Sequence, residues 1–253
     1  MSQTVGQVLA LVDGIAPFEL AEPWDNVGLL AGHPDAPVKT VLCALDLRME
    51  VLREAERLGA QLIVTHHPIL FRGRKNLCET DGEGRLLNAL VRSGIAMIAA
   101  HTNFDNANPG VNDALAAVLA LSDVEALDSG MRIGAPKQTD FGTFCAFVRE
   151  KLGGPTRCYG DADKRIVRVA VLGGAGEDYV AIAREAGADV YLTGEMAYHK
   201  ALDAVDNGLC VIEAGHAATE QPAISMLRGG LQKAADAVQY DISVLQSQVD
   251  MFF

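Results

Sequence analysis

Two stretches decide the fold: Leu58-Gly-Ala-Gln-Leu-Ile-Val-Thr-His-His67 and Ala186-Gly-Ala-Asp-Val-Tyr-Leu-Thr-Gly-Glu195. Each reads as a helix end, a Gly-Ala stop, an apolar strand, a threonine, and then polar groups at the strand's carboxyl end. A second pair follows. Gly94-Ile-Ala-Met-Ile-Ala-Ala-His101 ends in a histidine four residues before Asp105. Gly208-Leu-Cys-Val-Ile-Glu-Ala-Gly-His216 ends in a histidine four residues before Glu220. Helix–Gly–strand units recur by chance in α/β proteins, but matched polar termini suggest an internal duplication. The expected fold is therefore α/β, with two related lobes. The first would cover 1–125 and the second 165–253, joined by a connector at 126–164. Each would place its polar groups where open α/β sheets build their sites.

Helices are expected at Val5–Ile15, Met49–Leu58, about Gly84–Ser93 and Gly110–Leu121, and strands at Thr40–Leu45 and Ile95–Ala100. Breakers and mixed signals crowd 122–165, where Phe141–Arg149 and Ile166–Leu172 read as strand or hairpin pieces. The chain has 253 residues, 49% of them hydrophobic, enough for a sizeable core. No apolar run approaches the roughly 20 residues of a membrane helix. The amino terminus carries no basic residue ahead of its helical pattern and does not read as a signal peptide, so a cytoplasmic location is expected. Five scattered cysteines form no CxxC pair, which disfavours a disulfide framework or a thiolate zinc site. A net charge of −12 argues against nucleic acid or an acidic membrane as partner.

His66, His67, His101 and His216 each follow an expected buried strand. Neutral imidazole ligates metals and can act as a general base. Adjacent side chains of an extended segment point to opposite sides, so His66 and His67 would serve two neighbouring ions better than one. His216 and Glu220 share a face if the chain is helical from Ala217. With Asp105, these residues form a set of five nitrogen and oxygen donors, suited to two metals roughly 3.5–4 Å apart. Zinc, manganese, iron, cobalt or nickel would fit such donors. Singly, each residue also has an ordinary reading. Glu220 could favour a helix dipole, and Asp105, among Asn103, Asn106 and Asn108, could be turn chemistry. His33 and His199 are read as structural.

Three further stretches have two readings. Trp24-Asp25-Asn26 reads best as a packing anchor with an Asx-type turn. Phe71-Arg72-Gly73-Arg74-Lys75 is either a phosphate-steering loop or a solvated basic one. Gly173-Gly174-Ala175-Gly176 could cradle a phosphate but lacks dinucleotide-fold or Walker spacing.

In order along the chain, PWDNVGLLAG (23–32), THHPILF (65–71), HTNFDNANPGVND (101–113), TGE (193–195) and GHAATEQP (215–222) resemble the motifs of the Nif-three-like dinuclear-metal family. Its members are often labelled GTP cyclohydrolase I type 2 homologues. The resemblance implies two α/β lobes with a metal site in the cleft between them, in a short form without an inserted middle domain. It implies that His66, Asp105 and Glu220 bind one divalent ion, and His67, His216 and Glu220 the other, with Glu220 bridging. His101 and Glu195 match motif positions outside the ligand set and would act in support or in proton transfer. A toroidal homohexamer is the implied assembly. The label implies water attacking the guanine ring of GTP and releasing formate. The same ligands would serve a two-metal phosphoesterase, or a non-catalytic metal-binding scaffold.

Overall fold

The computed structural model describes residues 3–249. It is a mixed α/β fold whose chain divides into two compact units. Of the described residues, those up to Ala107 and those from Ile224 onward form one, and Asn108–Ala223 form the other.

The first unit is built on a five-stranded sheet. Its order is Ser243–Gln246, Thr40–Ala44, Leu62–Thr65, Ala96–Ala99, Gly28–Ala31. The first four strands are parallel and Gly28–Ala31 is antiparallel. Leu42, Ile63 and Met97 stand in register and pack on Val51, Leu52, Ala55 and Leu90 from helices Met49–Leu58 and Gly82–Ser93. The opposite face carries Val41, Cys43, Leu62, Val64 and Ile98, also buried, so these strands read as continuous apolar runs rather than alternating ones. Both helices stop at a glycine in the left-handed region, Gly59 at φ 63° and Gly94 at φ 69°, the conformation for which glycine has no Cβ penalty.

The second unit has a six-stranded sheet, ordered Ser122–Ala126, Arg132–Ala135, Val169–Ala175, Val190–Glu195, Cys210–Glu213, Arg157–Tyr159. Its three central parallel strands sort their side chains by strict alternation. Val169, Val171, Val190, Leu192, Cys210 and Ile212 join one core, and Ala170, Leu172, Tyr191 and Val211 join the other. Residues 126–164 supply two strands and a helix to this unit, while 224–249 supply an edge strand to the first.

The stretch read as strand at Phe141–Arg149 is instead a helix, Phe141–Leu152. The Asp140 side chain accepts from the Thr143 N–H at 2.9 Å, and Gly153 closes the other end at φ 68°. Phe141, Phe144, Cys145 and Val148 then lie on one buried stripe. Capping and this stripe override the strand preference of the aromatic and β-branched residues. Among the described residues no helix is long and apolar enough to cross a membrane.

Candidate metal centre

In the first unit the strand Leu62–Thr65 hands the chain to His66 and His67 at its carboxyl end. Backbone hydrogen bonds to Ala44 and Leu45 carry the pairing two residues further. The chain then bends, and the two rings converge to 4.9 Å between centroids. That departs from the opposed orientation an extended segment would impose. His66 is fully buried, and its Nδ1 donates to the Ala100 carbonyl at 2.9 Å. A carbonyl only accepts, so the proton sits on Nδ1 and the lone pair on Nε2. His67 Nδ1 is held in the same way by the Asp46 carboxylate at 2.8 Å. His101 Nδ1 meets Asp25 at 2.9 Å. The three imidazoles can each present one ligand atom, with all three atoms within 4.8 Å of one another. Asp105 closes the group, its Oδ1 3.7 Å from His66 Nε2.

Burial lowers the pKa of His101, and neighbouring His66 lowers it further, against the pull of Asp25. The ring is held neutral, as a ligand or proton acceptor must be. For Asp25, burial works upward, but hydrogen bonds from Thr102 and His101 outweigh it and keep the carboxyl below its ordinary range. The Thr102 N–H donates to Asp25 Oδ2 at 3.0 Å.

In the second unit His216 opens the helix His216–Ala237, directly after Gly215 (φ 89°). Its Nε2 is 3.3 Å from Glu220 Oε2 one turn on, and its Nδ1 is 3.5 Å from Glu195 Oε2 at the end of strand Val190–Glu195. Glu220 is buried, and the space for it exists because residue 174 is glycine. A Cβ on Gly174 would strike Glu220 Oε1 and come to 3.4 Å from His216 Nε2. Thr219 fixes the wall, accepting from the Gly174 N–H at 3.1 Å and donating to the His216 carbonyl at 2.7 Å.

All seven sequence-predicted residues thus fall into two groups. His66, His67, His101 and Asp105 assemble in the first unit, and Glu195, His216 and Glu220 in the second. The donor chemistry fits borderline divalent ions: imidazole Nε2 lone pairs whose Nδ1 atoms are anchored, with carboxylates and no thiolate. Asp46 was not legible as a participant, although its place just past the strand Thr40–Ala44, beside the strand that delivers the histidines, is the signal that could have found it. Asp25, read as a turn former, is a buried partner of His101.

The other motifs resolve differently. The N–H groups of Gly173 and Gly174 are taken by Asn112 and Thr219, so this segment packs against Glu220 instead of cradling a phosphate. Arg74 pairs with Asp81 and Glu83, which turns its charge to tying down the loop. Trp24, expected as an anchor, is 60% exposed.

The family model for Duf34/NIF3 (NGG1p interacting factor 3) matches residues 3–251. A Streptomyces coelicolor protein named GTP cyclohydrolase 1 type 2 homolog is 35% identical over 255 residues, spanning 95% of this chain and 90% of its own. One of the same name from Clostridium perfringens is 31% identical over 250 residues, spanning 94% and 95%. A solved structure, a Bacillus cereus protein related to NIF3, superposes with a TM-score of 0.94 at 26% identity, covering 100% of this chain and 99% of the other.

Proposed function

The chain belongs to the Duf34/NIF3 (NGG1p interacting factor 3) family, and from that premise we propose that it is a dinuclear metal-dependent hydrolase acting on a nucleotide or related heterocycle. His66, His67, Asp105, His216 and Glu220 would hold two divalent ions, with Glu220 common to both. The observation that carries this reading is the triad of anchored imidazoles in the first unit, with ligand atoms within 4.8 Å. Such ions, when bound, supply Lewis acidity and an activated water at neutral pH.

The chain's own groups divide the remaining work. Asp25 holds the proton of His101 on Nδ1 and leaves Nε2 to accept one during hydrolysis. Glu195 orients His216 through Nδ1. The relatives' name points to GTP as the first substrate to try. The order strand–helix–strand–helix–strand in both sheets supports descent from one duplicated unit, and a homohexamer is the assembly we propose for the short form.

The test is elemental analysis followed by turnover. Purified protein should hold about two divalent ions per chain, and Glu220→Ala should lower both occupancies. Loaded with manganese, iron or zinc, it should release formate from GTP. Release of phosphate alone would favour a phosphoesterase. Bound metal with no turnover of any nucleotide would leave a scaffold.

A further inference from the structure

Trp24 and Phe71 are 60% and 44% exposed, yet neither is loosely held. Their ring centroids are 5.8 Å apart at an interplanar angle of 75°, and both meet His101 edge-on, at 6.3 Å and 6.0 Å. The backbone beneath Trp24 is pinned by its neighbour Asp25, whose buried carboxylate takes hydrogen bonds from Thr102 and His101. Asn26 then donates through Nδ2 to the Leu70 carbonyl at 2.6 Å, which ties the tryptophan loop to the residue preceding Phe71. Two large apolar rings are thus fixed at the edge of the histidine cluster with much of their surface left uncovered. The fold stabilises their positions without burying them, which a packing anchor would not need.

We propose that Trp24 and Phe71 form a stacking platform for the planar heteroaromatic ring of the substrate, a purine in the first instance, presenting it to His101 and the adjoining histidines. The proposal rests on the heterocycle reading given above and names the residues that would recognise the ring. Aromatic rings attract flat π-systems by offset or edge contact, and stacking tolerates differences in ring substituents. Holding both rings in place beforehand reduces the ordering required on binding.

Trp24 is the only tryptophan, so fluorescence of the full chain reports on one ring. We would titrate the metal-loaded protein, and the same protein after chelation, with GTP, guanosine and ribose 5-phosphate, and confirm binding by calorimetry. GTP and guanosine should quench saturably, and ribose 5-phosphate should not. Phe71→Ala should weaken guanosine binding about tenfold, within the range for loss of a stacked base. By calorimetry, Trp24→Ala should do at least as much, while Trp24→Phe should restore most of the affinity. Circular dichroism and metal content should be unchanged in all three variants, since both side chains are exposed. Binding unaffected by these substitutions, or no binding by either heteroaromatic ligand, would overturn the platform. Binding that depends on Trp24 without any turnover would keep the platform and remove the hydrolase reading.

Discussion

His67 and Asp46 are joined through Nδ1 and Oδ1 at 2.8 Å across 21 residues of chain. The two residues extend beyond neighbouring parallel strands, Leu62–Thr65 and Thr40–Ala44, which pair Ala44 with Thr65. The carboxylate fixes the tautomer of the ring, sets its orientation, and raises the basicity of Nε2. Asp46→Asn keeps a group that can still accept a hydrogen bond but removes the charge. We expect divalent-metal affinity to fall roughly 10- to 100-fold with the fold intact. Metal titration beside thermal unfolding would check this, and unchanged affinity would show that Asp46 is only a neighbour.

The helix Phe141–Leu152 rests on its cap. Asp140→Ala removes the acceptor of the Thr143 N–H and should lower stability by about 1 kcal/mol. Urea unfolding should register the loss without any change in metal content. A neutral result would mean that the buried stripe of Phe144 and Val148 alone sets the helix boundary.

That helix also marks where sequence reading ran out. Met49–Leu58 and Gly82–Ser93 were legible because apolar spacing and a terminal glycine agreed. In Phe141–Leu152, three phenylalanines and a valine spoke for strand, and the caps at Asp140 and Gly153 show only in the structure. The cap at Asp140 and the packing of the buried stripe on Val169, Val171 and Leu192 of the sheet decide for helix. The candidate metal donors were legible because histidines and carboxylates recur together at matching strand ends in the two halves of the sequence, although each alone has an ordinary reading. Their partners were not. Asp25 resembles any turn aspartate until His101, 76 residues away, is placed beside it. The hydrogen-bonding fate of Gly173 and Gly174 likewise depends on Asn112 and Thr219, which no local pattern connects to them.

Gly174 offers a paired comparison. At φ 67° an alanine is strained, and its Cβ would also strike Glu220 Oε1. Gly59 shares the left-handed conformation, at φ 63°, but has nothing within 4 Å of where a Cβ would stand. Both alanine variants should lose about 1–2 kcal/mol from backbone strain. Gly174→Ala should lose more, because the Glu220 carboxylate must move, and it alone should lower metal occupancy. Equal metal content in the two variants would show that Glu220 relaxes without consequence.

Cys158 is a free cysteine flanked by a thiol and a guanidinium. The Cys145 thiol hydrogen-bonds to its sulfur, and Arg149 Nη2 donates to the same atom at 3.3 Å. The thiol contact acts first and the guanidinium adds to it, so that against the opposing effect of burial the Cys158 pKa is lowered. Thiolate is the reacting form, so alkylation of Cys158 by iodoacetamide should rise through a midpoint below that of an unperturbed cysteine. Fully buried Cys43, pushed up to about 12 by desolvation, should stay unlabelled in the native protein. Arg149→Gln should move the Cys158 midpoint upward, toward the 9.0 of an unperturbed cysteine. Cys145→Ala should move it further, because it removes the larger of the two stabilising contacts. Peptide-resolved mass spectrometry across pH 5–10 would read both shifts. A midpoint that ignores both substitutions would show that neither contact stabilises the thiolate.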